Sequence, residues 1–151
     1  LKLKPNQVTL VPDTPDVLTS LEGWDIIKNK SILTSVVKEL NNHGIRTSIF
    51  IHPSIKMIDA AREVNADRVE LFTGTYAKSK DTIESYIKCS ELAHRLGLGI
   101  NAGHDLDMQN LAFFVREMPY LDEVSIGHGL ISESLFLGLE KTISCYKEIL
   151  S

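Results

Sequence analysis

The sequence lacks several features that assign a function quickly, and each absence excludes something. It holds only 2 cysteines, Cys89 and Cys145, far apart and without a C-x-x-C spacing. Buried thiols are therefore expected rather than a disulfide or a thiolate metal site, and with them a reducing, cytoplasmic compartment. Basic residues form no block. With 16 Lys and Arg against 20 Asp and Glu, the net charge is −4, so a phosphate-tracking stripe for nucleic acid is not expected. No apolar run approaches the roughly 18 residues of a membrane span, and the opening LKLKPNQ has no signal-peptide core. The segment after the first apolar run, PDTPDVLTSLEGWD, contains neither G-x-G-x-x-G nor a P-loop. The chain begins at Leu1 rather than Met.

What is present reads as one globular domain: 151 residues, 43% hydrophobic and 24% charged. Apolar periodicity alternates between strand and helix along the whole length. VTLVP (8–12) precedes a helix over 29–42 carrying Ile32, Val36, Val37 and Leu40, which Gly44 ends. TSIFI (47–51), a helix over 54–64 and RVELF (68–72) follow. A helix over 81–96 then stops at Gly97, and LGIN (98–101) comes next. A helix over 108–117, EVSIG (123–127) and a final helix over 133–150, with Leu135, Leu139, Ile143 and Tyr146 inward, complete the chain.

Five strands joined by helical crossovers must run parallel in one sheet, and their weak alternation suits strands covered on both sides. Two α/β architectures fit. One is a complete five-stranded, flavodoxin-like doubly wound sheet. The other is five βα units of a (β/α)8 TIM barrel, whose usual length of about 250 residues leaves roughly 100 upstream. The glycines follow the last two strands, in INAGHDLD (100–107) and SIGHGLI (125–131). In barrels, the loops after strands 7 and 8 commonly build a phosphate site, where backbone N–H groups and a helix N-terminus face the anion.

Four segments, TLVPDTPDVLTSLEGWD (9–25), VELFTGTYA (69–77), GLGINAGHDLDMQNL (97–111) and VSIGHGLISESLFLGL (124–139), carry a resemblance to the pyridoxine 5'-phosphate synthase family. The likeness covers nearly the whole chain but only the family's carboxyl-terminal part, strands 4 to 8. It implies a cytoplasmic (β/α)8 barrel assembled as a homo-oligomer, often an octamer. The implied transferase-type reaction closes the pyridine ring of vitamin B6. It condenses 3-amino-2-oxopropyl phosphate with 1-deoxy-D-xylulose 5-phosphate, releasing inorganic phosphate and water, with no metal or organic cofactor.

By that resemblance, His104 of NAGH is the proton donor. Asp105 stands where the family usually has Gly, at a position that contacts the amino-ketone phosphate. Gly127 and His128 match the Gly-His pair that binds the same phosphate. Thr19 matches a threonine that contacts the deoxyxylulose phosphate from the loop after strand 4, although that loop here lacks the two basic residues of the common form. Glu70 matches a carboxylate near the substrates and is a candidate catalytic group. Phe72 and Thr75 replace a frequent His and Cys. The family's other acid–base groups come from strands 1 to 3, expected upstream of Leu1, so the 151-residue chain alone is expected to be inactive.

The residues also admit plainer readings. His104 at a strand end could satisfy a carbonyl, and Glu70 could be a hydrogen-bonded lumen residue. Asp105 and Asp107 resemble a metal pair less than an N-capping run before Met108. Gly127 and Gly129 could be only a tight turn, and Trp24 a packing residue. His43 and His94 lie near helix C-termini, where a cation is favoured, and His52 occupies a turn. Two other functions stay open: a different phosphate-handling barrel enzyme such as an isomerase or aldolase, or a non-catalytic phosphate-binding half-barrel.

Overall fold

Helices stand between all successive strands, which forces parallel pairing. The computed structural model describes residues 2–14 and 16–151. Its strands are β1 (Gln7–Leu10), β2 (Arg46–Ile51), β3 (Arg68–Phe72), β4 (Gly99–Gly103) and β5 (Leu121–Ser125). They form one parallel sheet in the consecutive order β1-β2-β3-β4-β5. The helices are α1 (Lys30–Asn42), α2 (Ile55–Glu63), α3 (Gly74–Lys78), α4 (Ile83–Arg95), α5 (Leu111–Glu117), α6 (His128–Leu137) and α7 (Leu139–Ile149). A doubly wound sheet reverses its order at a switch point; the consecutive order here follows a barrel wall more closely.

The sheet is also strongly curled. Four strand spacings separate β1 from β5, about 19 Å in a flat sheet at roughly 4.8 Å per strand. Nevertheless Gln7 Nε2 donates to Glu123 Oε2 at 3.2 Å across the concave face. Arg46 Nη2 on β2 reaches Glu123 Oε1 at 2.6 Å, and Arg68 Nη1 on β3 donates to Asn101 Oδ1 at 2.8 Å. Only a curved wall brings Gln7 on β1 and Arg46 on β2 within reach of Glu123 on β5.

The strands alternate more than their composition suggests. Gln7, Arg46, Arg68, Asn101 and Glu123 form the bonded polar set inside the curve. Two positions later on the same strands come Thr9, Ser48, Glu70, Gly103 and Ser125, nearer the carboxyl ends. Period 2 keeps both sets on the inner face. The intervening residues, among them Ile49, Ile51, Val69, Leu71, Ile100 and Ala102, point outward into the apolar core. The expectation of little alternation is thus corrected: one face packs on helices and the other lines a polar lumen.

Helix packing follows from the spacing. In α1, Leu33, Val37 and Leu40 are buried, while Ile32 is exposed. Gly44, at φ 69°, ends that segment in a left-handed turn that favours glycine. Tyr76, Tyr86 and Phe114 from α3, α4 and α5 make a buried aromatic cluster, with ring centroids 4.8 Å apart for Tyr76 and Phe114. The short α3 was missed because its glycine and threonine read as loop.

The carboxyl-terminal helix differs most from expectation. Instead of one helix over 133–150 there are two, broken at Gly138, whose φ of 80° is incompatible with a continuing helix. The first starts at His128, directly after β5. Tyr146 is buried, but Leu135, Leu139 and Ile143 are exposed, contrary to the expected inward face. Leu135 and Phe136 are 80% and 90% exposed.

Candidate active site

The carboxyl ends of the strands open into a cleft of about 600 Å³. Thr19, Glu70, His104, Asp105, Gly127 and His128 all line it, so the six residues singled out in the sequence converge on one place. Phe50, Ser125 and Gly129 complete much of the remaining wall.

Glu70 is at the centre of the inner face. Thr9 Oγ1 donates to Glu70 Oε2 at 3.1 Å. Burial pushes the Glu70 carboxyl above its ordinary range, while hydroxyls of Thr9 and Ser125 and the nearby His104 pull it partly back. Gly103 is tied to this group by space. A Cβ at Gly103 would lie 2.6 Å from Glu70 Oε1 and 3.0 Å from Ser125 Cβ. Glycine is what allows the β4 backbone to pass the carboxylate.

β4 then ends in two consecutive left-handed residues, His104 at φ 96° and Asp105 at φ 56°. Their carbonyls are held: Thr73 Oγ1 donates to His104 O, and Asn110 Nδ2 donates to Asp105 O at 2.9 Å. The imidazole Nε2 is hydrogen-bonded to Thr19 Oγ1 at 2.9 Å, and the ring packs against Phe72 at a centroid distance of 4.9 Å. The other ring nitrogen, Nδ1, is buried without an aligned hydrogen bond, and Asp105 Oδ2 is 3.3 Å from it. The two acids of HDLD therefore divide. Asp107 Oδ1 accepts the Gln109 and Asn110 N–H groups in the turn before α5, as a capping group should, whereas Asp105 faces the histidine.

The loop carrying Thr19 is fastened at its far end. A Cβ on Gly23 would sit 2.5 Å from the Ile51 Cα and His52 N, so only glycine permits the loop to lie against the end of β2. Trp24 N donates to Phe50 O at 2.8 Å, and Glu22 meets His52 Nε2 at 3.3 Å. His52 thus anchors the loop and stacks edge-on with Phe72. Pro15 of this loop lies outside the described residues.

After β5, Gly127 precedes the first turn of α6, and the exposed His128 begins it. A helix start at a strand's carboxyl end presents free N–H groups and the positive end of the dipole to the cleft. Among the described residues no Lys or Arg lines the cleft. His43 Nδ1 bonds Glu39 O at the end of α1, and His94 stacks on Tyr120; neither borders the cleft. Both cysteines are free thiols, and burial pushes Cys89 up to about 11. No group of three or more metal-ligating side chains occurs among the described residues, and no described helix is long and apolar enough to cross a membrane.

Thr9, Thr73, Asn110 and Ser125 were not singled out from the sequence. Only the period-2 register with Glu70 and Gly103 signals Thr9 and Ser125. Nothing in the sequence signals the two side chains that hold the His104 and Asp105 carbonyls.

A curled parallel sheet with acid–base groups at its carboxyl ends, beside a glycine-led helix start, has the layout of a barrel-enzyme site. All residues, 1–151, match the profile of one family, described as "Pyridoxal phosphate biosynthesis protein PdxJ". The chain belongs to that family. It is 51% identical to a pyridoxine 5'-phosphate synthase of Christiangramia forsetii, 52% to one of Bacteroides fragilis and 50% to one of Porphyromonas gingivalis. Each alignment covers 99% of this chain and 65% of the relative, so the chain spans about two thirds of their length.

Proposed function

We propose that this chain supplies the five carboxyl-terminal βα units of a TIM-barrel pyridoxine 5'-phosphate synthase. The complete enzyme joins 3-amino-2-oxopropyl phosphate to 1-deoxy-D-xylulose 5-phosphate, forming pyridoxine 5'-phosphate and releasing phosphate and water. The observation that carries this reading is the convergence of Thr19, Glu70, His104, Gly127 and His128 on one cleft. The names of the relatives support the same reaction.

Ring closure by successive dehydrations needs proton donors and acceptors within hydrogen-bond reach of carbonyl and hydroxyl groups. In this reading His104 Nε2 gives the proton. Gly127, His128 and the N–H groups at the start of α6 seat the amino-ketone phosphate, and the Asp105 backbone borders the same seat. Thr19, which satisfies Nε2 here, turns to the second phosphate when substrate takes its place. Glu70 faces the reacting atoms from below as an acid–base group. The absence of Lys and Arg from the described lining is consistent with cationic phosphate ligands supplied by the remaining barrel units. A cytoplasmic homo-oligomer, of octameric form, is part of the proposal.

The test is His104→Asn in the complete enzyme. Turnover is expected to be lost while the amino-ketone phosphate still binds. Wild-type turnover by that variant rejects the role of His104.

A further inference from the structure

The contact between His104 and Asp105 supports an inference of its own. Nδ1 of His104 is buried, and among the described residues no donor or aligned acceptor meets it. The Asp105 carboxylate stands 3.3 Å away. A bare Nδ1 lone pair facing that carboxylate is repelled, whereas an Nδ1–H is attracted. Nε2 points the other way, to the Thr19 hydroxyl and the cleft.

We propose that Asp105 is a positioning residue for His104, holding the neutral imidazole as the Nδ1–H tautomer so that Nε2 is the nitrogen that exchanges protons in the cleft. When the imidazolium gives a proton, it leaves from Nε2. The ring keeps its Nδ1–H, and Asp105 remains a carboxylate throughout. The other groups around the ring do not compete for Nδ1. Thr19 is on Nε2, Phe72 packs on the ring, and Glu70 and His128 border the same cleft.

The backbone is built for this pairing. Both residues are left-handed, a conformation that Asp tolerates better than most side chains. Thr73 and Asn110 hold the two successive carbonyls, so the carboxylate and the ring share one rigid corner. The Asp105 side chain is 44% exposed against 14% for His104. Its effect is therefore tautomer selection and orientation, smaller than that of a buried carboxylate on a catalytic histidine.

This inference rests on the reading of His104 as proton donor, and the experiment separates the two. The ring nitrogens of 15N-histidine-labelled complete enzyme are followed by NMR above pH 8, with His104→Asn assigning the resonances. Wild type is expected to show a protonated Nδ1 and an unprotonated Nε2. Asp105→Gly, which fits the left-handed backbone, and Asp105→Asn are expected to shift the population toward Nε2–H. The kcat of Asp105→Asn, which keeps the side chain's shape but not its charge, is expected to fall about tenfold with KM moved less than about threefold. If Asp105→Gly melts as wild type and keeps the Nδ1–H tautomer, the proposal is overturned. A changed tautomer with unchanged kcat also overturns it. Turnover by His104→Asn instead rejects the donor reading, whatever the tautomer shows.

Discussion

Replacing Gly103 by Ala tests the geometry of the cleft most directly. The added Cβ would lie 2.6 Å from Glu70 Oε1 and 3.0 Å from Ser125 Cβ. Ordinary contacts are about 3.3 Å for carbon to oxygen and at least about 3.5 Å between carbons. The shortfalls are then about 0.7 Å and 0.5 Å on those distances. The Glu70 carboxylate can swing aside, at the expense of its 3.1 Å bond from Thr9. Ser125 Cβ cannot swing, because it is fixed to the β5 backbone, so β5 must shift. Overpacking of this kind costs about 1–3 kcal/mol. At about 2–4 °C per kcal/mol, the melting temperature of the complete enzyme is expected to drop by about 2–12 °C. Circular dichroism melts of wild type, Gly103→Ala, Glu70→Ala and the double variant form the assay. Removing the carboxylate relieves part of the clash, so a coupling of at least about 0.5 kcal/mol is expected. A Gly103→Ala protein that melts like wild type and shows no coupling to Glu70 refutes the packing described here.

Other perturbations have equally definite expected outcomes. Burial raises the Glu70 carboxyl above 4.5, so the folded protein favours the neutral acid; that preference is present at low pH and is lost as pH rises through the folded value. Glu70→Gln should therefore match wild type in urea midpoint below about pH 4.5 and become the more stable of the two as pH rises; a pH-independent difference contradicts the burial. Tyr86 is fully buried and its hydroxyl donates to Phe72 O at 2.7 Å. Tyr86→Phe should cost about 1–2 kcal/mol in denaturant titration, and a neutral result would mean that the carbonyl finds another donor. The isolated 151-residue chain presents outer edges of β1 and β5 that are unpaired among the described residues, together with the exposed Leu135 and Phe136. Sedimentation should show concentration-dependent association, and a monodisperse, cooperatively unfolding monomer speaks against the barrel-segment reading.

The sequence by itself determined the alternation of strands and helices, the parallel pairing and the family. Helical crossovers leave no other way to pair, and the NAGH and IGH segments fall at strand ends in the right order. It also pointed to His104 and Gly127, a histidine and a glycine turn at strand ends, and to Glu70, an acid within an apolar strand. The break at Gly138 was legible in principle but was overridden by an apolar pattern that runs through it.

Tertiary structure alone decided the rest. Helical connections dictate parallel strands in either a barrel or an open sheet; curvature depends on contacts such as Gln7 to Glu123, far apart in sequence. The polar lumen follows from that curve, since only a concave face brings Thr9 to Glu70 and Arg46 to Glu123. The roles of Asp105 and Asp107 separated for the same kind of reason. Two acids two residues apart look alike in a sequence, but the left-handed corner held by Thr73 and Asn110 turns one toward His104 and leaves the other to close the turn before α5.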